Sequence, residues 1–382
     1  MHDILIDVTR LVGRVLVKGR LPTGVDRVSL AYVAHYGHRA CAVVRLGSRL
    51  VVLSLPVSRV LFDQLSNPGP QFRQQVGLQI ARAWWDRPRR LDHAVLFNTG
   101  HSGLEVPSYH AALQRLGVSP VFLVHDLIPI SHPEYCRPGE LERHQRRMDA
   151  ALRISRGVIA NSRETLKALQ GYADKKALPL PPAIAAHLAP PLLPPPGSNP
   201  LGRPYFVMLG TIEPRKNHWM VLQVWRHLIE KHGSEAPQLV VVGQRGWECE
   251  NVVDLLERAA HVREHVIELP RCSDAQLATY LHHAQALLFP SFAEGYGLPL
   301  VEALSAGTPV IASELPVFKE IAGDIPDYLD PLDGLGWLSL IEAYSATGSA
   351  VRDAQKARMR QFAPPSWQHH FEQVDAFLEK LP

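Results

Sequence analysis

With 382 residues, of which 46% are hydrophobic and 20% charged, the chain is too apolar for a disordered protein and too long for one core of usual size, which predicts two domains. Its net charge of +3 divides into +11 for residues 1–199 and −8 for residues 200–382, which fits either docking of oppositely charged domains or an anionic partner. No apolar run reaches the roughly 18 residues of a membrane span, and the four cysteines form no C-x-x-C pair, which argues against an integral membrane protein and a zinc site.

The first half of the chain alternates short apolar runs with helical patterns, as a parallel α/β domain does. A first strand is predicted at residues 4–8, and a loop at residues 21–27 leads to a helix at residues 28–36. Ligands of open α/β sheets bind at the carboxyl ends of strands, where such a loop lies. Gly24 therefore suits close approach of the backbone to a phosphate and Arg27 suits a pair with it. A plain turn is the alternative, which a single glycine before a helix favours.

An amphipathic helix follows two further predicted strands, at residues 40–45 and 49–55, and precedes a third at residues 94–97. Its apolar residues recur at four-residue spacing and are Phe72, Val76, Ile80 and Trp84. The helix ends in WWDRPRR, residues 84–90. Two tryptophans beside three arginines suit docking at a lipid interface, and they equally suit the end of a helix that packs on the core.

Two later strands of this half end in polar residues. The strand at residues 121–124 runs into His125 and Asp126, where a histidine can donate to a hydroxyl or phosphate oxygen. A histidine with a purely structural role is the alternative. The strand at residues 158–161 closes into Asn161 and Ser162, whose side chains suit the N-cap of the next helix.

A proline-rich stretch marks the domain boundary, because residues 179–204 contain ten prolines and must be extended and stiff after a last short strand. We therefore predict an N-terminal domain at residues 1–199 and a C-terminal domain at residues 200–363. The segment 364–382, with a helix at residues 366–380, is predicted to cross back to the first domain.

The second half restarts with a strand at residues 205–209 and the loop GTIEPRKN, residues 210–217. Arg215 and Lys216 stand at a helix start after Gly210, where a guanidinium fork, a point charge and free N–H groups suit a diphosphate. A solvated basic turn is the alternative. The other elements predicted here are the helix 219–230, the strands 238–242 and 266–269, the helix 274–282 and the strand 309–312.

The segment FPSFAEGYGLPLVEALSAGTP, residues 289–309, combines a strand end, a loop and a helix. Gly295 and Gly297 allow positive φ and leave the backbone bare, so that N–H groups at the helix start can point at one polar or anionic ligand. Glu294 in the loop and Glu302 in the helix offer two acceptors for hydroxyl groups.

Two alternatives remain for this segment. The first is a plain strand–loop–helix joint with a solvated Glu302. The second is a dinucleotide site of the Rossmann type, which is supported by the distance to Glu314 and weakened by Leu300, because that site needs a third small residue there.

The motifs GTIEPRKN, FPSFAEGYGLPLVEA and GTPVIAS, in this order and spacing, resemble the retaining glycosyltransferases of the GT-B fold, family four. The segments TGVDR and HDLIP of the first half resemble the weaker part of the same pattern. The resemblance implies an α/β fold, GT-B, in which two doubly wound Rossmann-like domains face each other across a cleft.

The resemblance also implies roles for single residues. Arg215 and Lys216 would bind the diphosphate of a nucleotide-sugar donor, Glu302 the ribose hydroxyls and Glu294 the donor sugar. His125 would lie over that sugar and complete the catalytic set with Arg215, Lys216 and Glu294. The remaining donor-binding positions are Gly24, Gly210, Gly295, Tyr296, Gly297 and Leu298.

No metal and no further cofactor is expected, because the chain has no Asp-x-Asp pair, through which the other common glycosyltransferase architecture binds a divalent ion. GTIEPRKN resembles bacterial mannosyl- and deoxysugar-transferring members, which favours GDP-mannose or a relative as the donor. The basic first half suggests a saccharide acceptor that is lipid-linked at an anionic membrane surface, in the synthesis of a bacterial surface polymer such as lipopolysaccharide. A cytoplasmic enzyme, peripheral on the inner membrane and without a nucleic-acid partner, is therefore expected.

Three other functions are compatible with the same two-domain plan. A nucleotide-sugar epimerase would need acid and base side chains around the sugar, and a phosphorylase-like enzyme is a more distant alternative. A non-catalytic protein that binds nucleotide sugars would not need both glutamates and both cations, so Glu294, Glu302, Arg215 and Lys216 argue against it.

Overall fold

The computed structural model of the protein describes residues 3–17, 22–85, 91 and 94–381. They divide into two compact units. The first unit consists of the described residues up to Ser131, of Pro138–Leu188 and of the residues from Trp367 onward. The second unit consists of His132–Arg137 and Ala189–Ser366. The three arginines of WWDRPRR, Arg87, Arg89 and Arg90, lie outside the described residues, so their expected docking at a lipid interface stays a prediction.

The strands follow the apolar runs of the sequence, most of which are buried on both faces as parallel sheets require. In chain order they are β1 (Ile4–Asp7), β2 (Ala40–Leu46), β3 (Arg49–Val52), β4 (Val95–Asn98), β5 (Ser119–Val124), β6 (Gly157–Ala160), β7 (Ala183–Ala185), β8 (Tyr205–Leu209), β9 (Gln238–Val242), β10 (Val266–Leu269), β11 (Leu287–Phe289), β12 (Val310–Ser313) and β13 (Asp327–Leu329).

The helices occupy the connections between these strands. They are α1 (Thr9–Leu16), α2 (Gly24–Tyr36), α3 (Leu55–Ser66), α4 (Phe72–Trp85), α5 (Pro107–Leu116), α6 (Ile128–Ser131), α7 (Glu140–Ile154), α8 (Arg163–Lys176), α9 (His218–His232), α10 (Glu250–Arg258), α11 (Ala260–His265), α12 (Asp274–His283), α13 (Leu298–Ser305), α14 (Pro316–Ala322), α15 (Gly334–Ser345), α16 (Ala350–Met359) and α17 (Trp367–Lys380). Short 3₁₀ turns cover Pro133–Tyr135, Pro214–Lys216 and Gly233–Glu235.

Each unit is built on one sheet. Over the described residues, the strand order is β3-β2-β1-β4-β5-β6-β7 in the first unit and β10-β9-β8-β11-β12-β13 in the second. The pairs are parallel except β2 with β3, which is antiparallel. In the second sheet β8 lies between β9 and β11, with Val207 opposite Val240 on one side and Leu287 on the other. The connections at the carboxyl ends of β8, β9 and β11 are therefore neighbours.

The final helix completes the first unit. Its His370 pairs with the Tyr32 hydroxyl at 3.0 Å through Nε2, and the Tyr36 hydroxyl donates to Asp375 at 2.8 Å. Phe371 packs edge-on against Tyr32 with ring centroids 5.1 Å apart. Helix α17 thus belongs with the first sheet, although it follows the whole second unit in the chain.

The units divide after Leu188 rather than at the predicted residue 199. The part of the proline-rich stretch beyond this point packs on the second unit, because the Gly197 N–H donates to Thr279 Oγ1 at 2.9 Å and the Gly197 carbonyl pairs with His283 Nε2 at 2.9 Å.

Two element predictions of the first half were wrong in extent. The strand predicted at residues 49–55 ends at Val52, and α3 begins at Leu55 with a proline in its first turn, where proline suits a helix. The helix predicted from residue 28 begins at Gly24, because Thr23 and Asp26 form a capping box in which Asp26 accepts from the Thr23 N–H at 2.8 Å. Of the two predicted N-cap residues, Ser162 is confirmed, since its hydroxyl accepts from the Thr165 N–H at 3.0 Å, whereas the Asn161 side chain donates to the His125 carbonyl at 2.8 Å.

None of the helices in the described parts of the chain is both long enough and apolar enough to cross a membrane.

Candidate active site in the second unit

The connection after β8 approaches the one after β9 very closely. A Cβ atom on Gly243 would lie 1.8 Å from the Gly210 carbonyl oxygen, so only glycine fits there. Gly210 itself has φ of +145°, which disfavours any side chain. Two glycines, Gly210 and Gly243, therefore allow the GTIEPRKN loop to pack closely against the end of β9. Of these two, Gly210 belongs to the predicted site.

The predicted cations meet the predicted carboxylate at this edge of the sheet. Lys216 Nζ lies 2.5 Å and Arg215 Nη1 lies 2.8 Å from Glu294 Oε1. Arg215 Nη2 also lies 2.6 Å from Glu213 Oε1. Glu294 stands 78 residues after Lys216 in the chain, so the sheet order brings them together. The result is a compact cluster of two cations and two carboxylates, which we call the charged cluster.

Backbone groups tie the same two connections together. Arg215 Nη1 donates to the Ala293 carbonyl at 2.6 Å, and the Phe292 N–H donates to the Arg215 carbonyl at 2.9 Å. The Lys216 ammonium also lies 4.9 Å from the centre of the Phe289 ring. These contacts fix the loop after β11 against the loop after β8.

Burial and charge act in opposite directions on the ionisation of the cluster. Burial raises the pKa of Glu294, but the positive charges of Arg215 and Lys216 outweigh it and bring this pKa to about 2. Burial lowers the pKa of Lys216, against the attraction of Glu294. Burial also raises the pKa of Glu213, against the attraction of Arg215 and Lys216. Glu294 is thus the carboxylate that the two cations hold most firmly in its charged form.

The loop after β11 ends at a helix start that requires glycine. Gly297 has φ of +100°, and a Cβ atom on it would lie 2.5 Å from the Phe318 ring. Leu298 then begins α13, and that this helix N-terminus faces a ligand stays a prediction. Tyr296 and Glu302 are both buried, Glu302 with 7% of its surface exposed. The predicted contacts of Gly295, Tyr296, Leu298 and Glu302 with a donor stay predictions.

His218, the first residue of α9, follows the charged cluster in the chain and is buried among apolar side chains. Neither of its ring nitrogens has a hydrogen-bond partner in the part of the chain that the structure describes. Burial and the Lys216 charge lower its pKa to about 3. This imidazole is therefore neutral and lies among apolar side chains of the core.

Two predicted site residues lie in the first unit. Gly24 is the first residue of α2, not part of a loop, because the Thr23 and Asp26 capping box starts the helix there. His125 follows β5 and is buried, with its Nε2 2.7 Å from the Thr99 carbonyl oxygen. Burial lowers the pKa of His125. The expected positions of Gly24 at a phosphate and of His125 over the donor sugar stay predictions.

Sequence reasoning missed several residues of this region. Glu213 lies inside GTIEPRKN, where an acidic residue beside two cations was a usable signal. Phe292, Tyr135 and Trp247 carry no such signal in the sequence. In the structure the Tyr135 and Phe292 rings stack with centroids 5.4 Å apart, and the Trp247 Nε1–H donates to the Tyr135 carbonyl at 3.1 Å. These contacts join residues that are distant in the chain.

Comparison with known proteins identifies the segment that carries the charged cluster. Residues 194–325 match the family model described as glycosyl transferases group 1. We call residues 194–325 the group 1 segment. The group 1 segment contains the loops after β8, β9 and β11 and the whole of α13, and so every residue of the charged cluster.

Curated relatives with known names match parts of the chain. Serotype-specific mannosyltransferase WbdA of Escherichia coli is 29% identical over 244 residues, which cover 59% of this chain and 29% of WbdA. O-antigen chain mannosyltransferase B of Escherichia coli is 38% identical over 130 residues, which cover 34% of this chain and 33% of that protein. The chain thus spans about a third or less of the length of these two relatives.

Similarity of fold to a solved structure extends over nearly the whole chain. The crystal structure of Anabaena Alr3699/HepE in complex with UDP-glucose matches with a TM-score of 0.66 and 15% identity, covering 99% of both chains. The predicted fold class, α/β of the GT-B type with two Rossmann-like domains, is confirmed. That the domains face each other across a cleft stays a prediction.

Proposed function

We propose that this protein is a retaining glycosyltransferase that moves a hexose or deoxyhexose from a nucleotide-diphosphate sugar to a saccharide acceptor. GDP-mannose or a close relative is the proposed donor. The two Escherichia coli relatives are named as mannosyltransferases, which supports the sugar. The HepE structure contains UDP-glucose, which supports the class of donor and leaves the base as a question for experiment.

The observation that carries this proposal is the charged cluster beside a helix start. Arg215 and Lys216 lie where the loop after β8 meets the loop before α13, and that loop ends at Gly297 with φ of +100°. The Lys216 ammonium carries three N–H donors and the Arg215 guanidinium carries five, and these already serve Glu294, Glu213 and the Ala293 carbonyl. A diphosphate would share these donors with the carboxylates.

In the proposed reaction the acceptor hydroxyl oxygen bonds to the anomeric carbon while the bond from that carbon to the phosphate oxygen breaks. The hydroxyl proton passes to the departing phosphate or to solvent, so charge and atoms balance. Negative charge develops on the diphosphate, and Arg215, Lys216 and the start of α13 stabilise it without a metal. Glu294 holds both cations in place and offers an acceptor to the sugar hydroxyls. Retention requires that the acceptor attack from the face that the diphosphate leaves.

The acceptor is proposed to be a lipid-linked saccharide of a growing bacterial surface polymer. The name of one relative, an O-antigen chain mannosyltransferase, supports a polymer of this kind. The charge of +11 on residues 1–199 favours attraction to an anionic membrane surface, which would place the protein at the inner face of that membrane.

The decisive experiment is a titration of the full chain with GDP, UDP and their mannose and glucose derivatives, read by calorimetry and thermal shift. A ligand at about 100 times its Kd adds roughly 2.7 kcal/mol to stability. Lys216→Met should weaken binding of the diphosphates by about tenfold or more, because a charge-assisted contact is lost. Lys319→Met is the matched control, since Lys319 is an exposed lysine of the same unit that pairs with Glu314.

The outcome also separates the alternatives. Absence of binding by every nucleotide would contradict the proposal. Binding without sugar release in the presence of saccharide acceptors would favour a non-catalytic binding protein, and conversion of the donor to an isomer would favour an epimerase. The anomeric configuration of the product, read by NMR, tests retention.

A further inference from the structure

A six-residue segment, His132–Arg137, belongs to the second unit although the residues before and after it belong to the first. It contains the 3₁₀ turn Pro133–Tyr135. We call it the 132–137 segment. In the chain it lies between α6 and α7, which both belong to the first unit.

Aromatic contacts hold the 132–137 segment against the group 1 segment. The Tyr135 ring stacks on Phe292 at an interplanar angle of 11°, and the His132 ring stacks on Tyr135 with centroids 5.9 Å apart. The Tyr135 carbonyl accepts from Trp247 Nε1 at 3.1 Å, and the Arg137 guanidinium lies 5.2 Å from the centre of the Trp247 ring. Stacked rings and a cation over a tryptophan are specific contacts rather than loose packing.

The partners of the segment belong to the two connections that flank the GTIEPRKN loop. Trp247 follows β9 and Phe292 follows β11, and β8 lies between these strands. The Phe292 N–H donates to the Arg215 carbonyl, and Arg215 Nη1 lies 2.8 Å from Glu294. Tyr135 therefore contacts Phe292, and Phe292 contacts Arg215 of the charged cluster.

We propose that the 132–137 segment positions the donor-binding loops, with Tyr135 as a positioning residue that acts through Phe292 on Arg215 and Glu294. The proposal rests on the proposed function for its effect on nucleotide-sugar binding. Its physical basis is that the loop after β11 carries glycines at two of its last three positions before α13, Gly295 and Gly297, and so gains order from an external aromatic contact. A displacement of about 1 Å at such a site is enough to slow a reaction roughly 100-fold.

The first test needs no ligand and no activity. Hydrogen–deuterium exchange of the full chain is measured at the Phe292 amide, which the bond to the Arg215 carbonyl protects. Tyr135→Ala should speed this exchange by about tenfold, and Tyr135→Phe should match the wild type because it keeps the ring. Trp247→Phe removes the donor to the Tyr135 carbonyl and should give a smaller increase, about threefold. Tyr328→Ala, which removes an aromatic ring from the edge strand β13, is the control and should leave the Phe292 amide unchanged.

The second test measures whether the ordering of the loop after β11 by Tyr135 affects the proposed reaction. Tyr135→Ala should weaken GDP or UDP binding about fivefold to tenfold and lower kcat at least as much, with an unchanged midpoint of urea unfolding, and Tyr135→Phe should restore both values. Unchanged exchange at Phe292 in Tyr135→Ala would overturn the inference, as would faster exchange with wild-type binding and turnover. If the wild type binds no nucleotide, the proposed function fails, and the exchange experiment alone then decides whether the segment orders the loop.

Discussion

Glu294→Gln is the substitution whose effect on stability follows most directly from the structure. Glutamine has the shape of a protonated glutamate and lacks its charge, so the change leaves Arg215 and Lys216 without the carboxylate they share. Glu294 has 8% of its side chain exposed, and solvent therefore screens the lost attraction weakly.

The magnitude can be worked from the pKa of this group. The two cations lower the pKa of Glu294 from 4.5 to about 2 in the folded protein. At about 1.4 kcal/mol per pKa unit, the charged form stabilises the fold by about 3 kcal/mol. Because the folded pKa is the lower one, this contribution is complete above pH 4.5 and disappears as the pH falls toward 2.

The assay is urea unfolding of the full chain, followed by circular dichroism between pH 7 and pH 4. Glu294→Gln should lower the free energy of unfolding by about 3 kcal/mol at pH 7, and the difference from the wild type should begin to shrink below pH 4.5. Glu314→Gln is the matched control, because Glu314 pairs with Lys319 while 60% exposed and should cost about 1 kcal/mol or less. A loss for Glu294→Gln that equals the control, or that stays constant down to pH 4, would refute the reasoning.

Four further predictions follow from the site and from the sequence. Arg215→Ala and Lys216→Ala should each lower kcat by about 100-fold or more with the fold intact by circular dichroism, because each removes a contact to the leaving diphosphate; wild-type turnover in both would end that assignment. Turnover should persist in excess EDTA, and its loss with recovery on adding magnesium or manganese would contradict a metal-free mechanism. His218→Leu should raise the free energy of unfolding by about 1 kcal/mol, since it removes a buried imidazole without hydrogen-bond partners among the described residues, and a destabilised variant would show that the ring is satisfied. Binding to anionic vesicles should fall with salt and on changing the three arginines of residues 87–90 to glutamine, at about 1 kcal/mol per basic residue, and equal negligible binding to anionic and neutral vesicles would favour a soluble acceptor.

The sequence alone determined the local elements around the site. The strands at residues 205–209, 238–242 and 266–269 match β8, β9 and β10, because a buried parallel strand is a continuous apolar run whose ends glycine and proline mark. The position of Arg215 and Lys216 near a helix start followed in the same way, from a glycine and a proline before an apolar helical pattern. These features depend only on neighbours in the chain.

The tertiary structure decided which of these elements meet. Glu294 pairs with Arg215 and Lys216 because β11 lies beside β8, and that strand order arises from the packing of whole crossover units. The close approach of Gly243 to Gly210 and the stacking of Tyr135 on Phe292 depend on the same order. The family resemblance implied that Glu294 would hold the donor sugar, which stays a prediction, and only the fold showed that Glu294 pairs with both cations. Such contacts join residues distant in the chain, and no local spacing encodes them.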